Sequence, residues 1–373
     1  MRREPMTTNV DVIVLGLGPA GASAAAAAAA AGASVIAFER KAAAGLPVQC
    51  AELVPGLIGQ DVAVFDDARS QSVRRMTTTV AAEPPDETAP FPGHMIDRAR
   101  FDAALVEEAR AAGAACRLGT RVAALDPAGT VITAQGATFR ARVLIGADGP
   151  LSRLGRALGA VNSALVHARQ LSVELTAASD ATDIFLSADY PGGYGWLFPK
   201  GRHGHVGIGV DAAARARLPA LLDSLLEQLV AAGRIVAPGV AARATLTGGL
   251  IPVGGRLPAA HPRGAVLNLL AGDAAGLANP VTGAGIHAAL VSGRLAGEAA
   301  AAWLAGDAGA GADYEEELDD YFGVAIARAL ARRSALAAIA TARRPTPAEQ
   351  RAAWIAYPAY WASPTTCSEG AHA

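Results

Sequence analysis

Apolar and polar positions follow two different rhythms along this chain. Residues 10–15 form a short, β-branched, apolar run, which predicts a strand buried on both faces. Gly16, Gly18 and Gly21 interrupt the run, and the alanine-rich residues 19–32 then predict a helix with Gly32 as its stop. Residues 34–38 predict a second buried strand that ends at Glu39. Strand, helix and strand at this spacing form a parallel pair joined by a right-handed crossover. The polar residues 1–9 ahead of the unit are expected to fray.

Further along, residues 40–60 form an irregular excursion, and residues 66–92 read as β-structure ending in the loop of Pro84, Pro85, Pro90 and Pro92. An amphipathic helix is predicted over 101–112, short strands near 117–125 and 131–134, and another buried strand over 143–147. Residues 170–210 alternate strand-like segments with turns and predict a mostly antiparallel sheet. Helix follows over 218–232, buried strand over 265–271, and long helices over 285–304 and 314–343. The fold class is therefore α/β, a discontinuous Rossmann-like nucleotide-binding domain with an inserted antiparallel β-sheet domain and a helical C-terminus. The expected pieces are 9–65, 93–165 and 262–305 for the first domain, 66–92 and 166–261 for the second, and 306–373 for the helical segment and tail.

Composition narrows the classes. A chain of 373 residues with 52% hydrophobic and 18% charged residues has ample material for a core, which excludes a disordered or fibrous protein. The net charge of −2 argues against a general nucleic-acid binder. Cys50, Cys116 and Cys367 are scattered, so neither a disulfide framework nor a structural zinc site is expected, and a reducing compartment fits best. The apolar run 24–31 is too short to span a bilayer. A cytoplasmic protein is the resulting expectation.

Four glycine-containing segments carry the chemistry. In Gly16-Leu17-Gly18-Pro19-Ala20-Gly21 the first glycine permits a tight turn and the second lets backbone approach a pyrophosphate. The third lets helix and strand pack closely, and the helix start offers N–H groups and a positive dipole end. Glu39 closes the second strand, where a carboxylate accepts both ribose hydroxyls; that acid disfavours a 2′-phosphate, although Arg40 and Lys41 follow it. Gly146-Ala147-Asp148-Gly149 and Ala271-Gly272-Asp273 each place an aspartate at the carboxyl end of a buried strand, the edge where such sheets bind ligands. Asn279-Pro280-Val281-Thr282-Gly283-Ala284-Gly285-Ile286 runs into the long helix, whose positive end would favour negative charge.

Together these residues resemble the FAD-dependent oxidoreductases that include aromatic hydroxylases and geranylgeranyl reductases. The resemblance implies that Gly16, Gly18, Pro19, Ala20, Gly21, Glu39, Arg40 and Val122 hold the adenosine and pyrophosphate half of FAD. It places Asp148 and Gly149 behind the cofactor, Arg98, Gly272 and Asp273 on its ribityl side, and Pro280, Gly283, Ala284, Gly285 and Ile286 at the flavin ring. Arg98 also has an alternative reading as a surface ion pair.

Two segments are similar to the geranylgeranyl reductase family in particular. Tyr194-Gly195-Trp196-Leu197-Phe198-Pro199 looks like that family's Tyr-x-Trp-x-Phe-Pro signature; in a strand Tyr194, Trp196 and Phe198 share one face, as a substrate wall or as an ordinary core stripe. Gly45-Leu46-Pro47-Val48-Gln49-Cys50-Ala51-Glu52 resembles the cysteine segment that passes the flavin, with Cys-Ala where many relatives have Cys-Gly. Cys50 is either a functional group or a buried, inert thiol.

What the resemblance implies is reduction of isoprenoid C=C bonds, with hydride from reduced flavin N5 and a proton from a positioned donor or water. Cys50 and Tyr194 are the candidate donors, and Tyr194, Trp196, Phe198 and Pro199 the substrate contacts. The alternatives are a flavin monooxygenase of a small aromatic and an electron-transfer flavoprotein serving a quinone or protein partner. No second dinucleotide fingerprint is present, so NAD(P)H must bind transiently or a reduced ferredoxin substitute. The basic residues Arg328, Arg332, Arg333, Arg343 and Arg344 suit a solvated helix face or a peripheral contact with an anionic membrane.

Overall fold

The computed structural model describes residues 7–56, 58 and 65–362; Cys367 and the tail beyond 362 lie outside them. Its first sheet is built from the buried apolar runs. Val12–Leu15, Val35–Phe38 and Val143–Gly146 are covered along their whole length, because helices shield both faces. The six strands run in the order Ala260–Arg263, Val266–Leu270, Val143–Gly146, Val12–Leu15, Val35–Phe38 and Ala115–Arg117. All neighbours pair in parallel except the first two, which form an antiparallel edge.

The helix Pro19–Ala30 lies between this sheet and the long helix Ile286–Leu304. Its alanines are what the close approach requires. A β-carbon at Gly293 would lie 2.1 Å from the Ala20 carbonyl oxygen, and one at Gly297 2.5 Å from that of Ala24. Residues larger than alanine and glycine would force these helices apart.

A second sheet of seven strands follows the order Thr247–Pro252, Leu165–Glu174, His203–Asp211, Gly195–Lys200, Ala181–Leu186, Arg75–Val80 and Asp86–Thr88. It is antiparallel apart from the parallel pair of Ala181–Leu186 with Arg75–Val80. The two-residue period sorts its side chains. Leu171, Val173, Leu197, Val206, Ile208 and Val210 pack on the helix Leu218–Ala231. Trp196, Phe198, Ile184 and Met76 face the other way into a separate apolar cluster.

Two smaller sheets complete the mixed α/β architecture. One corrects an expectation: Thr7–Asn9, read as frayed, pairs in parallel with Thr138–Arg140, because its backbone finds an open edge beside the first sheet. The other joins Leu53–Pro55, Gly93–Ile96 and Arg69–Val73.

The expected helix over 101–112 starts earlier, at Arg98, because the Asp97 carboxylate caps it by accepting the Arg100 N–H at 3.0 Å. The C-terminal region is helical as expected. Ala310–Leu318 passes through a wide turn, Asp319–Gly323, into Val324–Ala342, and the short helices Pro347–Ala352 and Pro358–Trp361 follow. Among the described residues no helix is long and apolar enough to cross a membrane.

Candidate functional site

Two cavities meet between the sheets. The larger, about 970 Å³, is polar and lined by Gly16, Gly18, Glu39, Arg40, Val122, Asp148 and Gly149. The second, about 540 Å³, is walled by Cys50, Tyr194, Trp196, Phe198 and Trp354, with Pro19, Ala20, Pro280, Gly283, Ala284, Gly285 and Ile286 on its other side. Arg98 and Asp273 border both. Residues hundreds of positions apart in sequence thus line the same two cavities. Gly21, Gly272 and Pro199 line neither cavity.

The first turn is close-packed. Gly16 follows its strand at φ +92°, and a β-carbon there would meet the Ala147 carbonyl oxygen at 2.4 Å. One at Gly21 would come within 1.9 Å of the Gly16 carbonyl oxygen, so Gly21 acts through packing alone. Glu39 is partly engaged within the turn: one carboxylate oxygen accepts the Leu17 N–H at 3.0 Å and the other the Lys41 N–H at 2.8 Å. Pro199 points to the opposite sheet face from its neighbour Phe198, as strand alternation demands, which removes it from the expected substrate wall.

Charges at the junction of the cavities are tightly held. Arg98 grips Asp102 with two parallel hydrogen bonds of 2.8 Å, and this pair is buried rather than on the surface. Burial works against the guanidinium charge, but Asp102 and Cys50 outweigh it and raise its pKa. Burial pushes the Asp273 carboxyl up to about 6, with Arg98 opposing. Asp148 is also pushed up by burial; one of its oxygens accepts the Arg153 N–H at 2.8 Å, and the other is buried without a protein partner among the described residues.

Glu52 was not singled out in the sequence, yet it is the hub of the cysteine segment. It is 2% exposed. One carboxylate oxygen accepts the Arg98 N–H at 2.8 Å; the other accepts Lys200 Nζ at 2.6 Å and faces His205 Nε2 at 2.7 Å. Its own N–H donates to Cys50 Sγ at 3.2 Å. Desolvation opposes ionisation here, but His205, the Arg98 N–H and Lys200 prevail and hold its pKa down at about 2. Glu52 sits at φ +65°, a left-handed conformation costing a non-glycine residue about 1 kcal/mol. Its polar contacts offset that strain.

The aromatic wall is continuous. Trp196 lies between Tyr194 and Phe198, with ring centroids 5.7 and 6.2 Å away. The indole fits because the facing strand carries glycine: a β-carbon at Gly207 would lie 2.3 Å from Trp196 Cζ2. The Tyr194 hydroxyl donates to the Thr282 carbonyl at 2.6 Å, tying the wall to the turn that starts the long helix. Burial raises the Tyr194 pKa, so the phenol stays neutral.

The chain's last described turns close the apolar cavity. Trp354 packs on Tyr194 at 4.8 Å, and Tyr357 and Arg351 anchor the segment on Asp86 at 2.7 and 3.1 Å. The arginines expected on a solvated face have partners within the chain. Arg333, 15% exposed, pairs with Asp211 and donates to the Gly192 carbonyl; Arg344 forks onto Asp189 at 3.0 Å; Arg332 donates to the Tyr360 carbonyl at 3.0 Å. Arg343 donates to Glu349 at 2.9 Å, and Arg328 lies 5.2 Å over the Trp361 ring. Single polar residues scattered along a helix give no sequence signal of such pairing. Among the described residues no cluster of side chains suits a metal ion.

A dinucleotide turn facing a second glycine-rich helix start, beside an aromatic sheet wall, defines the class of flavin-dependent oxidoreductases. Solved folds agree. A geranylgeranyl bacteriochlorophyll reductase-like protein of Thermoplasma acidophilum superposes with a TM-score of 0.81 at 24% identity, covering 95% of this chain and 92% of that one. The myxobacterial chondrochloren halogenase, a variant of FAD-dependent halogenases, gives 0.65 at 20% identity over 83% and 79%. At these identities the likeness speaks for fold alone.

Sequence carries the assignment further. The geranylgeranyl reductase catalytic domain matches residues 164–241. Digeranylgeranylglycerophospholipid reductase 2 of Methanopyrus kandleri is 36% identical over 309 residues, spanning 78% of this chain and 76% of the relative. The corresponding reductase of Methanocella arvoryzae is 32% identical over 347 residues, 85% of each. The chain belongs to the geranylgeranyl reductase family of FAD-dependent oxidoreductases.

Proposed function

We propose that this protein saturates C=C bonds of an isoprenoid chain lying in the apolar cavity, using FAD held in the polar one. The observation that carries the reading is the junction itself: the Asp273 and Gly283–Gly285 edge borders a cavity whose opposite wall is Tyr194, Trp196 and Phe198. A small aromatic substrate of a hydroxylase would call for polar groups in that wall. The family relatives are named for geranylgeranyl lipids, which agrees with the wall's chemistry.

Three features support a fit to FAD. The space beside Gly18 is open: a β-carbon there would meet nothing within 4 Å and would stand in the cavity instead. One Asp148 oxygen is buried without a partner among the described residues. Two helix starts, at Gly18 where the cavities meet and at Gly285 on the apolar side of that junction, each offer first-turn N–H groups that no intrahelical carbonyl can accept. In this reading Gly16 and Gly18 admit the phosphates, with Glu39 and Arg40 at the adenosine end and Asp273 and Arg98 at the ribityl chain. When bound and reduced, the cofactor supplies hydride chemistry.

The chain's own residues then do the rest. An isolated alkene is a poor electrophile, so orientation and water exclusion must be strong. Trp196, Phe198 and Trp354 provide the dry wall, and Tyr194 fixes the Thr282 turn against it. Cys50, held between the Glu52 N–H and Arg98, is the better placed proton donor, because the Tyr194 proton is committed to Thr282. The electrons that would reduce the flavin come from NAD(P)H or a reduced carrier protein such as a ferredoxin.

The test is anaerobic mixing of dithionite-reduced holoprotein with geranylgeraniol, its diphosphate and a geranylgeranyl ether lipid. Reoxidation of the flavin together with product heavier by two hydrogens per bond is expected. Unchanged flavin absorbance with every one of them would end the isoprenoid reading.

A further inference from the structure

The polar cavity has two walls, and only one is explained by FAD. The glycine-turn side carries Gly16, Glu39 and Asp148. The facing side is the seven-stranded sheet, which contributes His167 and Arg169 from Leu165–Glu174, Arg215 from the 3₁₀ turn Ala212–Arg217, and Thr247 to Leu250 from the edge strand.

This facing wall is cationic and not neutralised. Arg169 and Arg215 are exposed, and among the described residues neither they nor His167 have a side-chain hydrogen bond or an ion pair. The carboxylates that line the cavity all belong to the other side and are engaged there. Glu39 accepts from Leu17 and Lys41, Asp102 from Arg98, Asp148 from Arg153, and Asp273 lies beside Arg98. A chain of net charge −2 has thus concentrated uncompensated positive charge on one face of one cavity.

The wall is also shaped for close approach. Arg169 and His167 stand two residues apart on the same strand face, roughly 7 Å from each other. Their neighbours across the ladder are Gly248 and Leu250, and Ala168 faces Gly249; a β-carbon at Gly248 would meet the Ala168 carbonyl oxygen at 2.6 Å and Arg169 Cγ at 3.4 Å, so only glycine lets the strands approach this closely beside Arg169. Gln49 Nε2 donates to the Gly248 carbonyl at 2.7 Å, fixing this strand to the cysteine segment. Arg169 borders the apolar cavity as well as the polar one. It therefore marks the point where an apolar chain lying along Trp196 would end and a charged head would begin.

We propose that His167, Arg169 and Arg215 form a phosphate-binding subsite on the sheet wall, separate from the FAD phosphate cradle, which takes a phosphate group of a second ligand. The proposal extends the isoprenoid reading, in which the natural bearer of that phosphate is the head of the prenyl substrate. The other source with the same chemistry is a nicotinamide dinucleotide. Guanidinium groups suit either, since their fork matches two phosphate oxygens.

The experiment uses FAD-loaded protein, wild type and the Arg169→Gln/Arg215→Gln double variant. Binding of geranylgeranyl diphosphate, geranylgeraniol, inorganic pyrophosphate and NADPH is followed by quenching of tryptophan fluorescence and by calorimetry. Neither readout needs turnover. The expected result is a loss of roughly tenfold or more in diphosphate affinity, with geranylgeraniol changed less than about twofold and FAD content unchanged. Wild-type diphosphate affinity should also fall with added salt, and the variant's should fall less.

A loss confined to NADPH would keep the phosphate site and assign it to the electron donor. If no prenyl compound binds the wild type, the isoprenoid reading fails, while the pyrophosphate and NADPH arms still decide the subsite. The subsite is refuted by equal losses for alcohol and diphosphate, by parallel loss of FAD, or by unchanged binding of every phosphate compound.

Discussion

Replacing Glu52 with glutamine tests whether the cysteine segment is held by a buried charge. The carboxylate is 2% exposed and faces Lys200, His205 and the Arg98 N–H. Its pKa falls from an ordinary 4.5 to about 2. At about 1.4 kcal/mol for each tenfold change in proton affinity, the ionised form contributes about 3 kcal/mol to folding. The sign follows from the depressed value: this stability is fully present above pH 4.5 and is lost as pH falls through about 2. Glutamine keeps the shape but leaves Lys200 without its counter-charge. Denaturant titrations of both proteins should therefore differ by about 3 kcal/mol at pH 7, with the gap closing between pH 4.5 and 2. A gap that does not change with pH, or one under about 1 kcal/mol at neutral pH, would refute the reasoning. The same variant should alter the alkylation rate of Cys50, whose sulfur accepts the Glu52 N–H.

Three further perturbations address other parts of the site. Gly207→Ala places a β-carbon 2.3 Å from Trp196 Cζ2 and 2.7 Å from Gln170 Cβ; it should cost about 1–3 kcal/mol and shift the tryptophan emission, and an unchanged spectrum and Tm would contradict the packing. Asp273→Asn removes a carboxyl whose pKa is raised from 3.8 to about 6. The raised value makes the ionised form a burden of at most about 3 kcal/mol, so the flavin-free variant should melt above wild type at pH 8 and alike at pH 3.5; equal melting at both would sink the claim. Tyr194→Phe keeps the ring contacts but loses the bond to Thr282. It should lower turnover less than about tenfold, whereas Cys50→Ala should lose about a hundredfold or more; the reverse order would make Tyr194 the proton donor.

The buried strands and the glycine turns were legible in sequence because their signals are local. An apolar run such as Val12–Leu15 and the turn at Gly16 each state their own conformation. Tyr194, Trp196 and Phe198 announced a shared face by their spacing alone. Pro199 was misplaced for want of the same parity argument. What stayed hidden depends on pairs far apart in the chain. Glu52 and His205 are separated by 153 positions, and Tyr357 and Asp86 by 271. Thr7–Asn9 has too few apolar side chains to advertise a strand, and only the free edge of Thr138–Arg140 recruits it.

The closure of the apolar cavity by Trp354 also sets an order of events during synthesis. The turn from Gly16 to Gly21 leaves the ribosome early, but Ala147, Asp273 and finally Trp354 must follow before the joined cavities have all their walls. Contacts this distant in sequence form late and slowly. The nascent chain therefore carries an open aromatic wall, Tyr194 to Phe198, for as long as the stretch from Phe198 to Trp354 takes to emerge, about ten to thirty seconds. Completion of the apolar cavity therefore waits for Trp354, and a chain cut before it should keep every lining residue of the polar cavity but leave the aromatic wall open.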